Sequence, residues 1–391
     1  MSAAAPRLPA AASPTAAAVH LSSLKLADFR NYATLSLPLA PGPVALVGDN
    51  GAGKTNLLEA ISLLTPGRGL RRAAYETIAR SGSAGGFAVA ATLEGRDGPT
   101  AVGTAVQIAA DGSRSRRVRI DGADAPGAEA LLDHLAVLWL TPAMDGLFTG
   151  PPGDRRRFLD RLVLAIDAAH GGRVAAYERS LSERNRLLEA GDPDRRWLDA
   201  VEAQIAEFGV AVAAARRELV GCLAALAAAA PSQDAFPAAD LALAGDVEAD
   251  LANRPAVAAE DAFRQALRDG RARDRAAGRA LFGPHRADLL VTHRPKAMPA
   301  ALASTGEQKA LLIGLVLDHA RLVASLTERA PVMLLDEVAA HLDARRRAGL
   351  YERIARLGVQ AFMTGTDPML FELLGPDALR LTVADGRVRP A

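Results

Sequence analysis

The chain has 391 residues, half of them apolar, and a formal net charge of +1. That length and composition support one or two globular domains with an ordinary core and exclude an intrinsically disordered chain. A nearly neutral balance gives no bulk field toward nucleic acid, so any affinity of that kind must come from local arginine patches.

In chain order, residues 1–20 are rich in Ala and Pro and lack the basic-then-apolar pattern of a signal peptide, so a disordered tail is expected. From Leu21 the apolar residues alternate through Leu24, Leu26, Leu35 and Leu37, as in strands, and Val44-Ala-Leu-Val47 forms a continuous apolar run that ends in glycines. There Gly48-Asp49-Asn50-Gly51-Ala52-Gly53-Lys54-Thr55 matches G-x-x-x-x-G-K-[ST], between an expected strand and an expected helix. Glycines in that spacing let backbone N–H groups turn inward around phosphates, and the helix start adds its positive dipole end. Lys54 is then placed to reach the β- and γ-phosphates of a nucleotide, and Thr55 to offer its hydroxyl to Mg²⁺. Only Lys25, Lys54, Lys296 and Lys309 are lysines among 46 basic residues, so a lysine at this spot is informative.

Between Phe87 and Ile120 three strand-like runs are separated by Asp97-Gly98, Asp111-Gly112 and Asp121-Gly122, which predicts an antiparallel sheet. After Pro151-Pro152-Gly153 the composition turns helical to about Ala230, with breaks expected at Gly171-Gly172 and at Gly191-Asp-Pro-Asp194. The single cysteine, Cys222, lies in that helical stretch among Leu and Ala and reads as a buried, inert thiol in a reducing, cytoplasmic setting. No run of about 18 apolar residues is free of charges and prolines, so no membrane span is expected. A strand and helix follow between Leu241 and Gly278, and Ala287–Thr292 reads as a return strand. His285 and His293 have no cysteine or acidic partner at ligand spacing, which predicts surface or structural roles.

From Thr305 onward helices and apolar strands alternate as in an α/β core. Ser304-Thr-Gly306-Glu307-Gln-Lys309 precedes an apolar helix, a start where free N–H groups can receive an anion or simply be capped. Pro331-Val-Met-Leu-Leu-Asp336-Glu337 is a buried-strand pattern delivering two carboxylates to its end. Asp336 suits Mg²⁺ binding through water, and Glu337 suits activation of an attacking water.

The order of these segments, with Ala340-His-Leu-Asp343 after the acids, resembles an ABC ATPase head with its signature, Walker B and D-loop. Phe29-Arg-Asn-Tyr32, Gly67-Arg-Gly69, Gly153–Asp160 and Leu281–Arg286, with Thr364-Gly-Thr-Asp367, narrow the resemblance to the RecF family of SMC-like ATPases. The resemblance implies an α/β P-loop head with a flanking antiparallel sheet and an inserted, mainly helical lobe. Residues 21–150 would form the first part of the ATPase lobe, 151–280 the insertion and 281–391 the second part. It also implies an ATP-dependent homodimer in which Ser304, Gly306 and Glu307 touch the partner's γ-phosphate and Asp343 connects the two sites. Duplex or gapped DNA, RecR and through it RecO are the partners it implies, in recombinational gap repair. Two departures stand out: Met363-Thr-Gly-Thr366 lies where a histidine is common, so Thr364 or Thr366 takes its place, and Leu140–Asp145 has no Q-loop glutamine. Both imply slow hydrolysis. For DNA, Arg114, Arg116, Arg117 and Arg119 on one hairpin and Arg155, Arg156 and Arg157 opening the lobe are the candidate contacts. The first cluster also reads as a solvated strand face, and the second as packing at the lobe interface beside Phe158 and Leu159. A transporter's nucleotide-binding subunit and a non-hydrolysing ATP-dependent scaffold remain as alternatives.

Overall fold

The computed structural model describes residues 19–108, 112–190, 194–229 and 235–391. The expected tail at 1–20 falls almost wholly outside them, as do most of the turns predicted at 111–112 and 191–194. The chain divides into two compact units.

The described residues of the nucleotide unit fall within Pro9–Asp145, Pro231–Pro237 and Ser304–Ala391. It opens with β1 (His20–Phe29), β2 (Tyr32–Pro38) and β3 (Pro43–Val47), then α1 (Lys54–Ser62) and the one-turn α2 (Tyr75–Ile78). Next come β4 (Phe87–Gly95), β5 (Gly98–Ile108), β6 (Arg114–Ile120), β7 (Ala123–Asp124) and β8 (Val137–Leu140). The antiparallel sheet predicted from the Asp-Gly turns is present, and it takes in the first two strands as well, in the order β2-β1-β4-β5-β6-β7. Its inner face alternates Phe87, Val89, Ala91 and Leu93 with half-buried residues, the period of a sheet covered on one side.

The helical unit falls within Gly146–Ala230 and Ala238–Ala303. It contains α3 (Pro152–Leu164), α4 (His170–Glu189), α5 (Arg195–Ala228), β9 (Ala239–Ala244), α6 (Asp246–Asn253), α7 (Ala256–Ala277), β10 (Asp288–His293) and β11 (Met298–Pro299). The break expected at Gly171-Gly172 lies instead at residues 165–169. Both glycines sit in the first turn of α4, where backbone N–H groups have no intrahelical partner and helix propensity matters least. The boundary expected at 280 is also displaced: residues 281–303 stay with the helices because β10 pairs antiparallel with β9 along its whole length.

The nucleotide unit resumes with α8 (Thr305–Thr327), β12 (Val332–Leu335), α9 (Ala344–Leu357), β13 (Ala361–Gly365), β14 (Leu379–Ala384) and β15 (Arg387–Pro390). A second sheet runs β15-β14-β3-β13-β12-β8, with β14, β3, β13, β12 and β8 parallel. Every residue of β8, β12 and β13 is buried, as expected of a parallel sheet covered on both faces. Helix α8 is long and apolar enough to cross a membrane, yet two-thirds of its apolar window (67%) is buried within the protein, so its composition is that of a core helix.

Candidate nucleotide site

The carboxyl ends of β3, β12 and β13 meet in one place, as parallel pairing requires. Leu335 pairs with Met363, and Gly365 with Val47, so the loops leaving these strands share one edge. The loop from Gly48 to Gly53 leaves β3 there, with Gly48 N–H donating to Gly365 O at 3.3 Å. A Cβ on Gly48 would lie 2.1 Å from Val383 O, so only glycine lets the loop pass this close to β14. Gly53 caps α1 at φ 114°, and its missing Cβ leaves room for Asn31 and Tyr32, 2.6 and 2.8 Å from where it would stand. Asp49, Asn50 and Gly51 are exposed at the loop's tip.

Lys54 is 5% exposed, and its Nζ donates to Gly48 O at 2.5 Å and Asp49 O at 2.8 Å. Burial pulls its ammonium below the usual lysine range, against the raising pull of Glu337, Asp336 and Asp49. Thr55 Oγ1 donates to the Asp336 carboxylate at 2.9 and 3.1 Å. These residues lie 281 positions apart in the chain, and the fold brings them together. Thr364 Oγ1 donates to Asp336 Oδ1 at 2.8 Å and accepts the backbone N–H of Glu337 at 2.8 Å. Thr364 is fully buried, whereas Thr366, the other candidate for the histidine's place, is exposed.

Sequence reasoning missed how the loop is braced. Asn31 Nδ2 donates to Ala52 O at 3.1 Å, Tyr32 OH donates to Gly53 O at 3.2 Å, and Asn56 Nδ2 donates to Asn31 Oδ1 at 2.8 Å. Arg30 grips the buried Glu59 of α1 through Nε (2.7 Å) and Nη2 (2.5 Å). The Phe29–Tyr32 run is therefore a brace that fixes the phosphate loop and its helix to the antiparallel sheet. Its signal was visible only as a motif without a mechanism.

Ser304 starts α8, and the Glu307 carboxylate accepts from both its N–H (3.1 Å) and its hydroxyl (3.0 Å). Ser304, Thr305 and Gly306 are exposed, and a Cβ on Gly306 would meet nothing within 4 Å. Lys309 Nζ pairs with Asp145, 3.1 Å away, on the segment that lacks the glutamine. Asp343, exposed, caps α9 by accepting from Arg346 N–H at 2.8 Å. Among the described residues no group of three or more His, Cys, Asp or Glu is arranged to hold a metal.

The candidate DNA contacts divide. Arg116 is committed to the nucleotide unit itself: its guanidinium donates to Leu63 O (2.5 Å), Thr65 O (2.9 Å), Gly67 O (2.7 Å) and Thr104 Oγ1 (2.8 Å), capping the carboxyl end of α1. Arg114 and Arg119 are exposed beside Glu76 and Asp124, and Arg117 is exposed on the outer face. In the helical unit Arg155 makes a bidentate pair with Asp288 (2.7 and 2.9 Å) and Arg156 donates to Ala287 O at 2.7 Å. These two arginines hold α3 to β10, which leaves Arg157 as the exposed member of the trio.

A phosphate loop beside acid-tipped parallel strands, braced on an antiparallel sheet, with a serine-led helix presented to solvent, defines the head of an ABC-type ATPase of the SMC-like kind. The RecF/RecN/SMC N-terminal domain family matches residues 20–384. The "DNA replication and repair protein RecF" of Mesorhizobium japonicum is 60% identical over 374 residues, covering 96% of this chain and 98% of that protein. The protein of the same name from Brucella suis is 57% identical over 371 residues, covering 95% and 96%. The chain belongs to the RecF family. Its fold matches a solved "recombination mediator protein RecF-ATP in RecFOR pathway" with a TM-score of 0.84 at 21% identity, covering 96% of this chain and 98% of that one. A Pyrococcus furiosus Smc head domain matches with a TM-score of 0.52 at 16% identity, covering 95% and 96%.

Proposed function

We propose that this protein is an ATP-gated DNA-binding protein of replication and recombinational gap repair, in which two copies close around ATP and slow hydrolysis releases them. The observation that carries the reading is the pairing of Thr55 with Asp336 beside Lys54, together with a Ser304–Gly306 helix start that is exposed. Backbone N–H groups of Gly51–Thr55 and the Lys54 ammonium receive the phosphate tail. A hydroxyl and a carboxylate are the hard oxygen donors Mg²⁺ takes from a protein while keeping several waters, so Thr55 and Asp336 fit as its holders; when bound it neutralises phosphate charge. The Glu337 carboxylate orients the attacking water and accepts its proton. Ser304, Gly306 and Glu307 serve the partner copy's nucleotide, and Asp343 links the two sites. The absence of a histidine at Thr364 and of a glutamine in Leu140–Asp145 supports slow turnover, and the proposed cycle has DNA stimulate it. Exposed Arg114, Arg117, Arg119 and Arg157 are the candidates for duplex phosphates. Membership of the RecF family supports RecR, and through it RecO, as partners.

The test is particle mass in solution. Glu337→Gln with ATP and Mg²⁺ is expected to double in mass and to stay doubled, with duplex DNA favouring the larger particle. A variant that remains single at saturating nucleotide and DNA overturns the reading.

A further inference from the structure

We propose that Thr364 is a positioning residue for ATP hydrolysis, holding the backbone of Glu337 and one oxygen of Asp336 in register through a single hydroxyl. The inference rests on the reading of Glu337 as the base that activates water.

Three observations lead there. The backbone N–H of Glu337 can only donate, and it donates to Thr364 Oγ1. A hydroxyl has one proton, so the proton of Thr364 goes to Asp336 Oδ1, and the direction of the whole chain of bonds is fixed. Second, Glu337 has φ 54°, a left-handed conformation that a residue with a Cβ adopts at a cost. The strand before it is extended and buried, so the bend at Glu337 is what turns the chain out of β12 at the site's edge. At this bend its N–H is tied to a fully buried hydroxyl. Third, Asp336 accepts from two hydroxyls, Thr55 and Thr364. Thr55 is the one read as facing the metal, which leaves Thr364 as the contact that orients the carboxylate without competing for it. A hydroxyl so committed is not a phosphate contact. The residue standing where a histidine is common thus acts on the two acids, from behind them.

The experiment uses the full chain and four variants: Thr364→Val, Thr364→Ser, Glu337→Gln and Thr364→Val with Glu337→Gln. Single-turnover hydrolysis, affinity for a fluorescent ATP analogue and melting temperature are read for each. Thr364→Val is expected to slow hydrolysis on the order of 10- to 100-fold, the usual cost of losing a supporting contact, while affinity stays within about threefold. Thr364→Ser, which keeps the hydroxyl, restores the rate. In the Glu337→Gln background valine slows hydrolysis by less than it does in the wild type, because the part of its effect that runs through Glu337 is already lost and only the part through Asp336 remains. Thr364→Val turning over like the wild type beside a slow Glu337→Gln overturns the inference alone, as does a serine as slow as valine or losses that multiply in the double variant. Glu337→Gln hydrolysing normally overturns the base assignment and the inference with it. If the valine variant does not fold, Thr364→Ala replaces it with the same outcomes.

Discussion

Both units bury charge, and they do it differently. In the helical unit, buried charges answer one another. Arg184, fully buried, donates to Glu202 at 2.9 Å, Asp274 at 2.8 Å and Leu267 O at 2.7 Å, and Arg271 adds a second cation to Glu202. Arg216 makes a bidentate pair with Asp160, which also meets His170 at 2.9 Å. In the nucleotide unit Glu59 is answered in the same way, by Arg30 and Arg71, but the buried charged groups at the site itself are held from behind and presented forward. Lys54 leans on backbone carbonyls, and Asp336 takes two hydroxyls with no cation in hydrogen-bonding contact among the described residues. The difference teaches that burial of a charged side chain marks a site only when its local partners are neutral dipoles, leaving the charge for something that arrives. Glu248 tests the rule from the other side. No other side chain bonds its oxygens, Arg216 is 4.0 Å away, and burial pushes its pKa up against the lowering pull of its own backbone N–H and of Arg216.

The sharpest way to break this comparison is to remove one cation from each unit. Arg184→Met leaves Glu202 and Asp274 buried with one partner fewer and is expected to cost the helical unit about 3–5 kcal/mol. Lys54→Met removes a cation whose partners are carbonyls and is expected to change stability by less than about 1 kcal/mol while abolishing nucleotide binding. Denaturant titration with and without ATP separates the two. Equal losses of stability would end the distinction.

A smaller effect sharpens the division among the arginines of β6. Arg116→Ala uncaps α1 and strands three carbonyls, so it is expected to lower stability by about 1–3 kcal/mol. Arg117→Ala changes an exposed side chain and is expected to leave stability within about 0.5 kcal/mol while weakening DNA binding and reducing its salt slope by about 1. Thermal melts and binding titrations at two salt concentrations check both. A DNA affinity and salt slope unchanged by Arg117→Ala removes this residue from the proposed surface.

This division also shows what the sequence could and could not convey. The phosphate loop was legible because its demands are local: glycines at fixed spacing, a lysine and a threonine, between a strand and a helix. The acids were legible because a parallel strand must be apolar up to the residue where it meets the ligand edge. Arg116 was not legible, since alternation along β6 tells which side a residue faces but not that the end of α1 lies there. The same holds for Thr364, whose meaning depends on Asp336 and Glu337, contributed by another strand. Asn31 and Tyr32 could be noticed as a motif, but their role requires knowing that β1 and β2 stand beside the loop. Gly171 and Gly172 misled for a positional reason, since glycines end helices at one terminus and are tolerated in the first turn of the other.

The smallest expected effect lies in the helical unit, at His285. Tyr177 OH meets its Nδ1 at 2.7 Å, and its Nε2 meets Ala280 O at 3.0 Å, an arrangement that suits a neutral ring donating from Nε2 and accepting at Nδ1. Burial, aided by Arg286 and Arg156, holds its pKa below the usual histidine value, against the raising pull of the Ala280 carbonyl. The sign follows from linkage: the unfolded chain binds the proton more readily, so the stability His285 contributes is present above about pH 6.5 and is lost as the pH falls below it, by less than about 1.4 kcal/mol per pH unit. His285→Gln, which can still donate to Ala280 O but has no pKa in this range, is expected to cost stability at pH 8 and to show a smaller deficit at pH 5.5. Denaturant midpoints of both proteins across that range check it. A deficit that widens on acidification would mean the ring is charged in the folded protein, and the rule that this unit's charges are closed against one another would then have to include a cation at His285.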